Sequence, residues 1–167
     1  MKEHTWIIIK PDGISRALAG QILTKLVEAK LDLVAARVTK VSRHLAEQHY
    51  KHLRNQPFFR DVINYLCGKY HKQKYVMALI FSGQDAIRKC RTLAGATHPE
   101  DADSMSIRGK FGRITKKGMF ENVLHVSSDA KEAKREIKLW FNPCEVVKKL
   151  CPTKQIIVKS QKKVIWA

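Results

Sequence analysis

Apolar residues in the chain follow two different spacings. Continuous runs rich in branched apolar residues predict buried strands, and three occur, at Thr5 to Lys10, Leu31 to Val41 and Tyr75 to Phe81. Apolar residues three and four positions apart predict amphipathic helices over Leu18 to Ala29 and Gln84 to Ala94. Because the predicted strands alternate with helices, the pattern indicates a small sheet covered by helices.

The remaining pattern is shorter and less regular. Three helices and one strand complete the prediction: Leu45 to Leu53, Phe58 to Leu66, Ala130 to Phe141, and a short strand that ends at His125. Residues 101–113 are predicted to be irregular, and the basic stretch 114–118 to be exposed. The chain carries neither a P-loop nor a dinucleotide-binding glycine motif, so a Rossmann fold is not indicated.

The composition is that of a globular protein. With 167 residues, 44% of them hydrophobic, the chain is long enough for a single domain over 1–167 with a sizeable core. No apolar run reaches membrane-spanning length, and the N-terminus lacks the apolar region of a signal peptide. The four cysteines show no CxxC pair and no metal-ligand spacing, so we expect reduced, mostly buried thiols in a cytoplasmic protein.

The charge of the chain is strongly basic. Lysine and arginine total 32 against 15 aspartate and glutamate residues, which gives a formal charge of +17. A surface with this charge attracts anions such as nucleotides, nucleic acid or acidic lipid. The charge alone does not distinguish among these partners.

The segment from Asn122 to Asp129 carries the clearest chemical signal. It predicts a strand that ends on a histidine, His125, where side chains tend to face a cleft. In the helix that follows, Glu136 falls on or beside the inward apolar stripe, because it is three positions after Ala133 and four before Trp140. A carboxylate that points inward needs a partner.

Two interpretations of this pair are open. The helix could pack so that Glu136 lies beside the ring of His125, fixes its tautomer and leaves the other ring nitrogen free to act as a nucleophile. Alternatively, His125 is a core histidine and Glu136 reaches past the helix edge to water. The segment alone favours the second, plainer interpretation.

Another group of polar and aromatic residues follows the second predicted strand. His44, His49 and His52 are close together, as in some metal sites. However, His49 and His52 lack a third ligand at useful spacing, so we expect solvent-exposed helix histidines. Phe58 and Phe59 are typical of a core, although one exposed ring could form a platform on which a base stacks.

Several short motifs occur in a fixed order along the chain. They are Lys10-Pro11-Asp12-Gly13, Tyr50, Pro57-Phe58-Phe59, Arg91, Gly95-Ala96-Thr97-His98-Pro99, Ile107-Arg108-Gly109, Asn122-Val123-Leu124-His125, and Glu136 with Leu139-Trp140-Phe141. Each motif is weak alone. The ordered set, from about Thr5 to about Pro143, resembles the nucleoside diphosphate kinase family.

This resemblance implies both a fold and an activity. The fold would be α+β, a ferredoxin-like α/β sandwich whose four-stranded antiparallel sheet is covered by helices, assembled as a homo-oligomer, a hexamer or tetramer. The enzyme would move the terminal phosphoryl group of a nucleoside triphosphate onto a nucleoside diphosphate through a phosphohistidine, by ping-pong kinetics and with low base specificity. Mg2+ would be held mainly by the nucleotide phosphates, so no metal-ligating residues are expected.

The resemblance also implies roles for individual residues. Catalytic roles fall to the phosphorylated histidine and the groups around it: His125, Glu136, which would orient its ring, Ser127, which would bond that carboxylate, Tyr50, whose ring would pack beside the histidine, and Lys10. Nucleotide-binding roles fall to Lys10, Arg91, Thr97 and Arg108 at the phosphates, Lys10 and Asn122 at the ribose, and Phe58 and Val62 on the two sides of the base.

Some positions depart from the family pattern. Val126 follows the histidine where the family has Gly or Ala, and its branched side chain could crowd the phosphate or tilt the ring. Gln56 replaces a basic residue, which removes a charge-assisted bond to phosphate. The loops 67–74 and 113–119 are longer than usual, and a C-terminal arm is expected from about residue 151.

Two functions therefore compete. The first is an active nucleoside diphosphate kinase. The alternative is a nucleotide- or nucleic-acid-binding module on the same fold with weak or no kinase activity, which Val126, Gln56 and the basic charge favour somewhat. The joint presence of His125 and Glu136 favours the enzyme, because a binding module does not need both. No membrane partner is expected.

Overall fold

The central sheet of the protein holds four strands, each antiparallel to its neighbours, in a computed structural model that describes residues 2–116 and 118–156. The strands of the chain are β1 (Lys2–Ile9), β2 (Asp32–Lys40), β3 (Tyr75–Gln84), β4 (Arg113–Ile114), β5 (Phe120–Glu121) and β6 (Leu124–Val126). The sheet order is β2-β3-β1-β6, and β4 and β5 form a separate two-stranded hairpin. The predicted four-stranded antiparallel sheet is thus confirmed.

Seven helices within the described residues surround the sheet. They are α1 (Pro11–Ser15), α2 (Ala19–Val27), α3 (Arg43–His49), α4 (Phe59–Leu66), α5 (Ala86–Ala94), α6 (Ile107–Phe111) and α7 (Ala130–Trp140), with short 3-10 turns at Lys51–Leu53, Pro99–Asp101 and Pro143–Glu145. None of these helices is both long enough and apolar enough to cross a bilayer.

The alternation of side chains along β1 divides the core into two parts. Trp6 and Ile8 point to one face of the sheet, where they pack with residues of α3, α4 and α7, and Ile7 and Ile9 point to the other, where they pack with residues of α2 and α5. Both faces of the sheet are therefore covered, as the continuous apolar run of β1 predicts. Because Tyr50, one of the residues expected to be catalytic, packs on the first face, we call it the catalytic face.

Three parts of the prediction from the sequence differ from the structure, wholly or in part, or lie outside the described residues. Residues 101–113, predicted to be irregular, contain α6, which is too short to show a helical period and starts at Ser106, whose side chain accepts a hydrogen bond from the Gly109 backbone N–H. In the basic stretch 114–118, Lys116 and Gly118 are exposed as expected, whereas Ile114, which ends β4, and Thr115 are half-buried. Most of the predicted C-terminal arm, residues 157–167, lies outside the described residues.

The cysteines only partly match expectation. All four are free thiols, as expected for a chain without disulfides. Only Cys90 is buried, however; Cys67 and Cys151 are half-buried and Cys144 is exposed, so the expectation of mostly buried thiols is wrong. Burial raises the pKa of the Cys90 thiol to about 12, which makes it unreactive.

Candidate active site

The backbone before β6 is held in an unusual conformation. Val123 has φ 55°, in the left-handed region that a β-branched residue rarely adopts. Its N–H donates to Oδ2 of Asp12 at 3.0 Å, and its carbonyl accepts from the Lys10 N–H at 2.8 Å. These two bonds hold the strained residue in place and bring the exit of β1 against the start of β6.

His125 follows on β6 and faces the catalytic side of the sheet. Its ring contacts that of Trp6, with centroids 5.4 Å apart, whereas its neighbours Leu124 and Val126 pack into the opposite core. The side chain remains 21% exposed, so one edge of the ring is open to a ligand.

Glu136 reaches this ring from α7. Its Oε1 lies 2.8 Å from Nε2 of His125, and its Oε2 accepts a hydrogen bond of 2.5 Å from the Ser127 hydroxyl. The Ser127 hydroxyl also contacts the backbone of Trp6. Glu136 is 2% exposed, so the interpretation in which it reaches water is wrong and the predicted contact with His125 is confirmed.

The electrostatics of this pair keep the imidazole neutral. Burial, followed by the charges of Lys10 and Arg108, holds the pKa of His125 well below its usual range. Burial raises the pKa of Glu136 to about 7, against the lowering effect of the Ser127 hydrogen bond. When Glu136 is ionised it accepts a hydrogen bond from the Nε2–H of His125, and the lone pair of the neutral ring then resides on Nδ1.

His49 was not predicted to belong to this group. The expectation of an exposed helix histidine is wrong for His49, which is fully buried with Nδ1 3.7 Å from Oε1 of Glu136, although it holds for His44 and His52. Its ring packs on His125 at 4.8 Å and on Tyr50 at 4.4 Å.

A signal for this burial was present in the sequence. His49 follows Ala46 by three positions and precedes Leu53 by four, and both of these residues pack into the catalytic-face core. The same stripe buries Tyr50, whose ring therefore lies against His49, which in turn contacts the ring of His125. Burial raises the pKa of Tyr50.

A lysine and an amide stand beside the histidine. Nζ of Lys10 donates to Oδ1 of Asn122 at 2.7 Å, and Nδ2 of Asn122 donates to the carbonyl of Thr97 at 2.8 Å. Burial lowers the pKa of Lys10 to about 8, so the ammonium is charged at neutral pH but weakly solvated. This arrangement places three of the predicted nucleotide-binding residues in one hydrogen-bonded set.

The two predicted arginines differ in their surroundings. Arg108 is 9% exposed and donates to the carbonyls of Gly95 and Leu124 at 2.8 and 3.1 Å. Burial, with a smaller effect from the charge of Arg91, lowers the pKa of Arg108 to about 10. Arg91 itself is exposed on the last turn of α5.

The predicted base-binding residues lie at the start of α4. Phe58 immediately precedes the helix and is 47% exposed, whereas Phe59 and Val62 are half-buried and pack against the catalytic-face core. Of the two phenylalanines, only Phe58 therefore offers a free ring face. The alternative in which both rings are core residues is wrong.

The expected effect of Val126 is also wrong. Its side chain is 4% exposed and packs in the core on the opposite face of the sheet from His125. It neither crowds the open edge of the imidazole nor presses on its plane, because successive side chains of a strand point to opposite faces.

A histidine with these neighbours can accept a phosphoryl group. The neutral imidazole presents an unbonded nitrogen, the carboxylate behind it can balance the positive charge that develops on the ring, and Lys10 and Arg108 can stabilise phosphate oxygens. His49, His125 and Glu136 also bring three potential metal-ligand atoms within 4.8 Å of one another. Two imidazoles and one carboxylate are a poor set for Mg2+, which prefers oxygen ligands.

Comparison with known proteins agrees with this chemistry. The family model for nucleoside diphosphate kinase matches residues 3–146. The chain belongs to the nucleoside diphosphate kinase family. It is 37% identical over 145 residues to the nucleoside diphosphate kinase of Listeria welshimeri, an alignment that covers 87% of this chain and 92% of the relative.

Solved structures of the family share the fold. The halophilic nucleoside diphosphate kinase from Halobacterium salinarum in complex with CDP superposes with a TM-score of 0.79 at 32% identity, covering 89% of this chain and 93% of that one. A transition-state mimic of the enzyme from Borrelia burgdorferi, with bound vanadate and ADP, gives a TM-score of 0.78 at 28% identity, over 89% of this chain and 92% of that one.

Proposed function

We propose that the protein is a nucleoside diphosphate kinase that carries the transferred phosphoryl group on His125. The observation that supports this most directly is the 2.8 Å contact between Nε2 of His125 and Oε1 of Glu136, which leaves Nδ1 as the nucleophilic nitrogen. The lowered pKa of His125, which keeps the half-buried imidazole neutral at physiological pH, supports the same role.

The reaction follows from this geometry. The Nδ1 lone pair of His125 attacks the terminal phosphorus of a nucleoside triphosphate, and the phosphorus–oxygen bond to the β-phosphate breaks with its electron pair on the leaving diphosphate. Glu136 balances the charge of the ring as the bond forms. A second nucleoside diphosphate then attacks the phosphohistidine and takes the group away, which restores the neutral imidazole.

The cationic and polar groups around the ring would position the nucleotide. Lys10, Arg108 and Arg91 would hold phosphate oxygens with Thr97, and Lys10 and Asn122 would meet the ribose. Arg108 is suited to this because its guanidinium is already fixed by the carbonyls of Gly95 and Leu124. Ser127 would fix Glu136, and Tyr50 would support the histidine by way of His49.

Magnesium would enter this site with the nucleotide. The groups around His125 that can meet phosphate are cations and an amide, and they do not form a cage of oxygen ligands. Mg2+ would therefore be held mainly by the phosphates of the bound nucleotide, and it would neutralise part of their charge. The residues themselves need only position the phosphates that carry the ion.

Base recognition would rest on stacking. Phe58 offers an exposed ring at the start of α4, with Val62 beside it in the helix. Every base has a face that can stack on a ring, so little discrimination among bases is expected.

Kinetics test the proposal. Initial rates with ATP as donor and a second nucleoside diphosphate as acceptor should give parallel double-reciprocal lines, as in a ping-pong mechanism. Purine and pyrimidine acceptors should differ little in kcat/KM. Intersecting lines, or transfer that survives in His125→Ala, would contradict the proposal.

The edge of the sheet supports an oligomer. Within the described residues β2 forms a strand pair only with β3, the Val147 N–H also bonds the Val34 carbonyl, and the β2 side chains Leu33 and Val38 are 48% and 58% exposed. An exposed apolar edge strand favours pairing with a second copy. We propose a homo-oligomer, a hexamer or tetramer, whose mass in solution should fall on Val38→Lys.

A second candidate activity is binding of single-stranded nucleic acid. It is favoured by exposed aromatic rings that are close in the sequence to exposed lysines: Tyr70 to Lys69 and Lys72, and Phe120 to Lys116. Such a surface can stack bases and contact phosphates. Fluorescence anisotropy of a labelled oligonucleotide should show binding that weakens steeply with salt, and salt-independent or absent binding would exclude this activity.

The cytoplasmic location and the single-domain organisation expected from the sequence stay predictions.

A further inference from the structure

The two long loops that the sequence analysis singled out meet in the folded protein. The loop 67–74 follows α4, and the β4–β5 hairpin leads into the strand that carries His125. Glu121, the last residue of the hairpin, lies between them and is only 5% exposed. A buried carboxylate at such a junction requires partners from its surroundings.

Both oxygens of Glu121 are engaged, one with each loop. Oε1 lies 2.9 Å from Nε2 of His71 in the loop 67–74, and Oε2 accepts a hydrogen bond of 2.5 Å from Nε of Arg113 in the hairpin. The His71 side chain is itself only 6% exposed. These bonds hold the carboxylate charged, and they lower the pKa of Glu121 even though burial alone would raise it.

From Glu121, contacts lead to the site by two routes. Along the chain, the next residue is Asn122, which accepts the hydrogen bond from Lys10. Across the loops, the ring of His71 packs edge-on against Tyr65, with centroids 5.2 Å apart, and Nζ of Lys10 lies 5.4 Å from the centroid of the same Tyr65 ring. The contacts therefore form a closed ring that returns to the Lys10 ammonium.

We propose that Glu121 is a positioning residue that ties the loop 67–74 to the β4–β5 hairpin and thereby sets Asn122 and Lys10 for the nucleotide. Glu121 does not touch the reacting atoms. It acts through its neighbours, because a shift of the hairpin moves Asn122 and a shift of His71 releases Tyr65. This proposal rests on the proposed nucleotide-binding roles of Asn122 and Lys10.

Glu121→Ala tests the proposal through nucleotide binding. A loss of about 1.4 kcal/mol of binding free energy raises a Kd tenfold. Since one contact is displaced, we expect the Kd for ADP, measured by calorimetry, to rise about 5- to 20-fold. The rise should appear in KM, with kcat at saturating nucleotide within about twofold of wild type, since uniform binding is what is lost. Glu121→Gln should restore most of the affinity, because its amide oxygen can accept from Arg113 and its NH2 can donate to Nε2 of His71 when that ring carries its proton on Nδ1.

A double-mutant cycle separates this role from general damage. If His71 and Glu121 act as a pair, His71→Ala should weaken ADP binding too. The double variant should then bind ADP at most about twofold more weakly than Glu121→Ala does. Glu145→Ala, which removes a carboxylate that pairs with Arg37 elsewhere on the surface, is the matched control and should leave the Kd for ADP unchanged.

Hydrogen exchange supplies a readout that does not depend on kinase activity. Amides of residues 119–124 should exchange faster in Glu121→Ala than in wild type, and those of 68–74 should do so as well. Unchanged ADP affinity and unchanged exchange in these segments would overturn the proposal, as would additive effects of His71→Ala and Glu121→Ala. If wild-type protein bound ADP but formed no phosphoprotein, the kinase function would fail while these binding tests still stood.

Discussion

Oε1 of Glu136 lies 2.8 Å from Nε2 of His125, while Oε2 of the same carboxylate is held by the Ser127 hydroxyl. The carboxylate is thus fixed from both sides, and the ring it contacts cannot rotate without breaking that bond. Because Nε2 bonds Glu136, Nδ1 is the ring nitrogen that can act as the nucleophile. The protonation state of Glu136 determines whether Nδ1 carries a lone pair or the ring proton.

The first prediction concerns the pH dependence of phosphorylation. The pKa of Glu136 is raised to about 7, so below this pH the carboxyl gains a proton and donates to Nε2, which moves the ring proton to Nδ1. The single-turnover rate of phosphoprotein formation should therefore fall about tenfold per unit as pH drops below about 7.

Glu136→Gln is the variant that checks the origin of this profile. It keeps the shape of the side chain but cannot titrate, so the rate should be lower by about 10- to 100-fold and should lose the inflection near pH 7. A wild-type profile that stays flat from about pH 8 to about pH 5.5 would show that the carboxylate does not control the tautomer.

A second prediction concerns stability in acid. Burial holds the pKa of His49 well below its usual value, so folding favours the neutral ring; the resulting stability is present above about pH 6.5 and is lost as pH falls. The raised pKa of Glu136 acts in the opposite sense, because its stabilisation is present at low pH and is lost as pH rises through about 7.

His49→Leu isolates the histidine contribution. Neither ring nitrogen of His49 has a hydrogen-bond partner among the residues that the structure describes, so an apolar side chain of similar size should change the free energy of unfolding by about 1 kcal/mol or less at pH 8. In urea melts at pH 5 the variant should be more stable than wild type. Equal acid sensitivity of the two proteins would mean that His49 is not the residue that must be protonated on unfolding.

A third prediction concerns Val126. Because its side chain fills the core opposite the catalytic face, Val126→Ala should lower the free energy of unfolding by about 1–3 kcal/mol. The rate of His125 phosphorylation should stay within about twofold of wild type, since the nucleophile faces the other way. A rate increase without loss of stability would indicate instead that the valine crowds the histidine.

A fourth prediction concerns the exposed ring of Phe58. Stacking of a base on an aromatic side chain contributes about 1–3 kcal/mol, so Phe58→Ala should raise KM about 5- to 100-fold for purine and pyrimidine nucleotides alike. Phe58→Trp should retain low KM values because it keeps a ring. A loss confined to one base would point to specific hydrogen bonding rather than stacking.

Much of the fold could be predicted because its signals are local. The apolar run that forms β1 and the stripe of α7 appear in the sequence. The stripe allows a contact between Glu136 and His125, but by itself it favours the plainer interpretation, and the resemblance to the family is what assigns Glu136 to the ring. The helix α6 was missed because five residues are too few to show a period, and its start depends on the Ser106 cap.

Other features of the site depend on contacts that no local pattern encodes. The left-handed φ of Val123 is maintained by the carboxylate of Asp12, 111 residues away in the chain. The spacing of His49 to Ala46 indicates a buried position. An exposed side chain is nevertheless the expectation for His49, because histidines on a helix more often face solvent. The side to which Val126 points follows from strand alternation once His125 is known to face the cleft.

The proposed kinase reaction requires that His125 carry the phosphoryl group. The most direct test is the intact mass of the protein after mixing with ATP and Mg2+, before and after addition of a different nucleoside diphosphate. We expect a gain of one acid-labile phosphoryl group, its loss when the acceptor is added, and no gain in His125→Ala. A phosphoprotein that forms equally well in His125→Ala, or a wild-type protein that binds ATP and never gains the group, would contradict it.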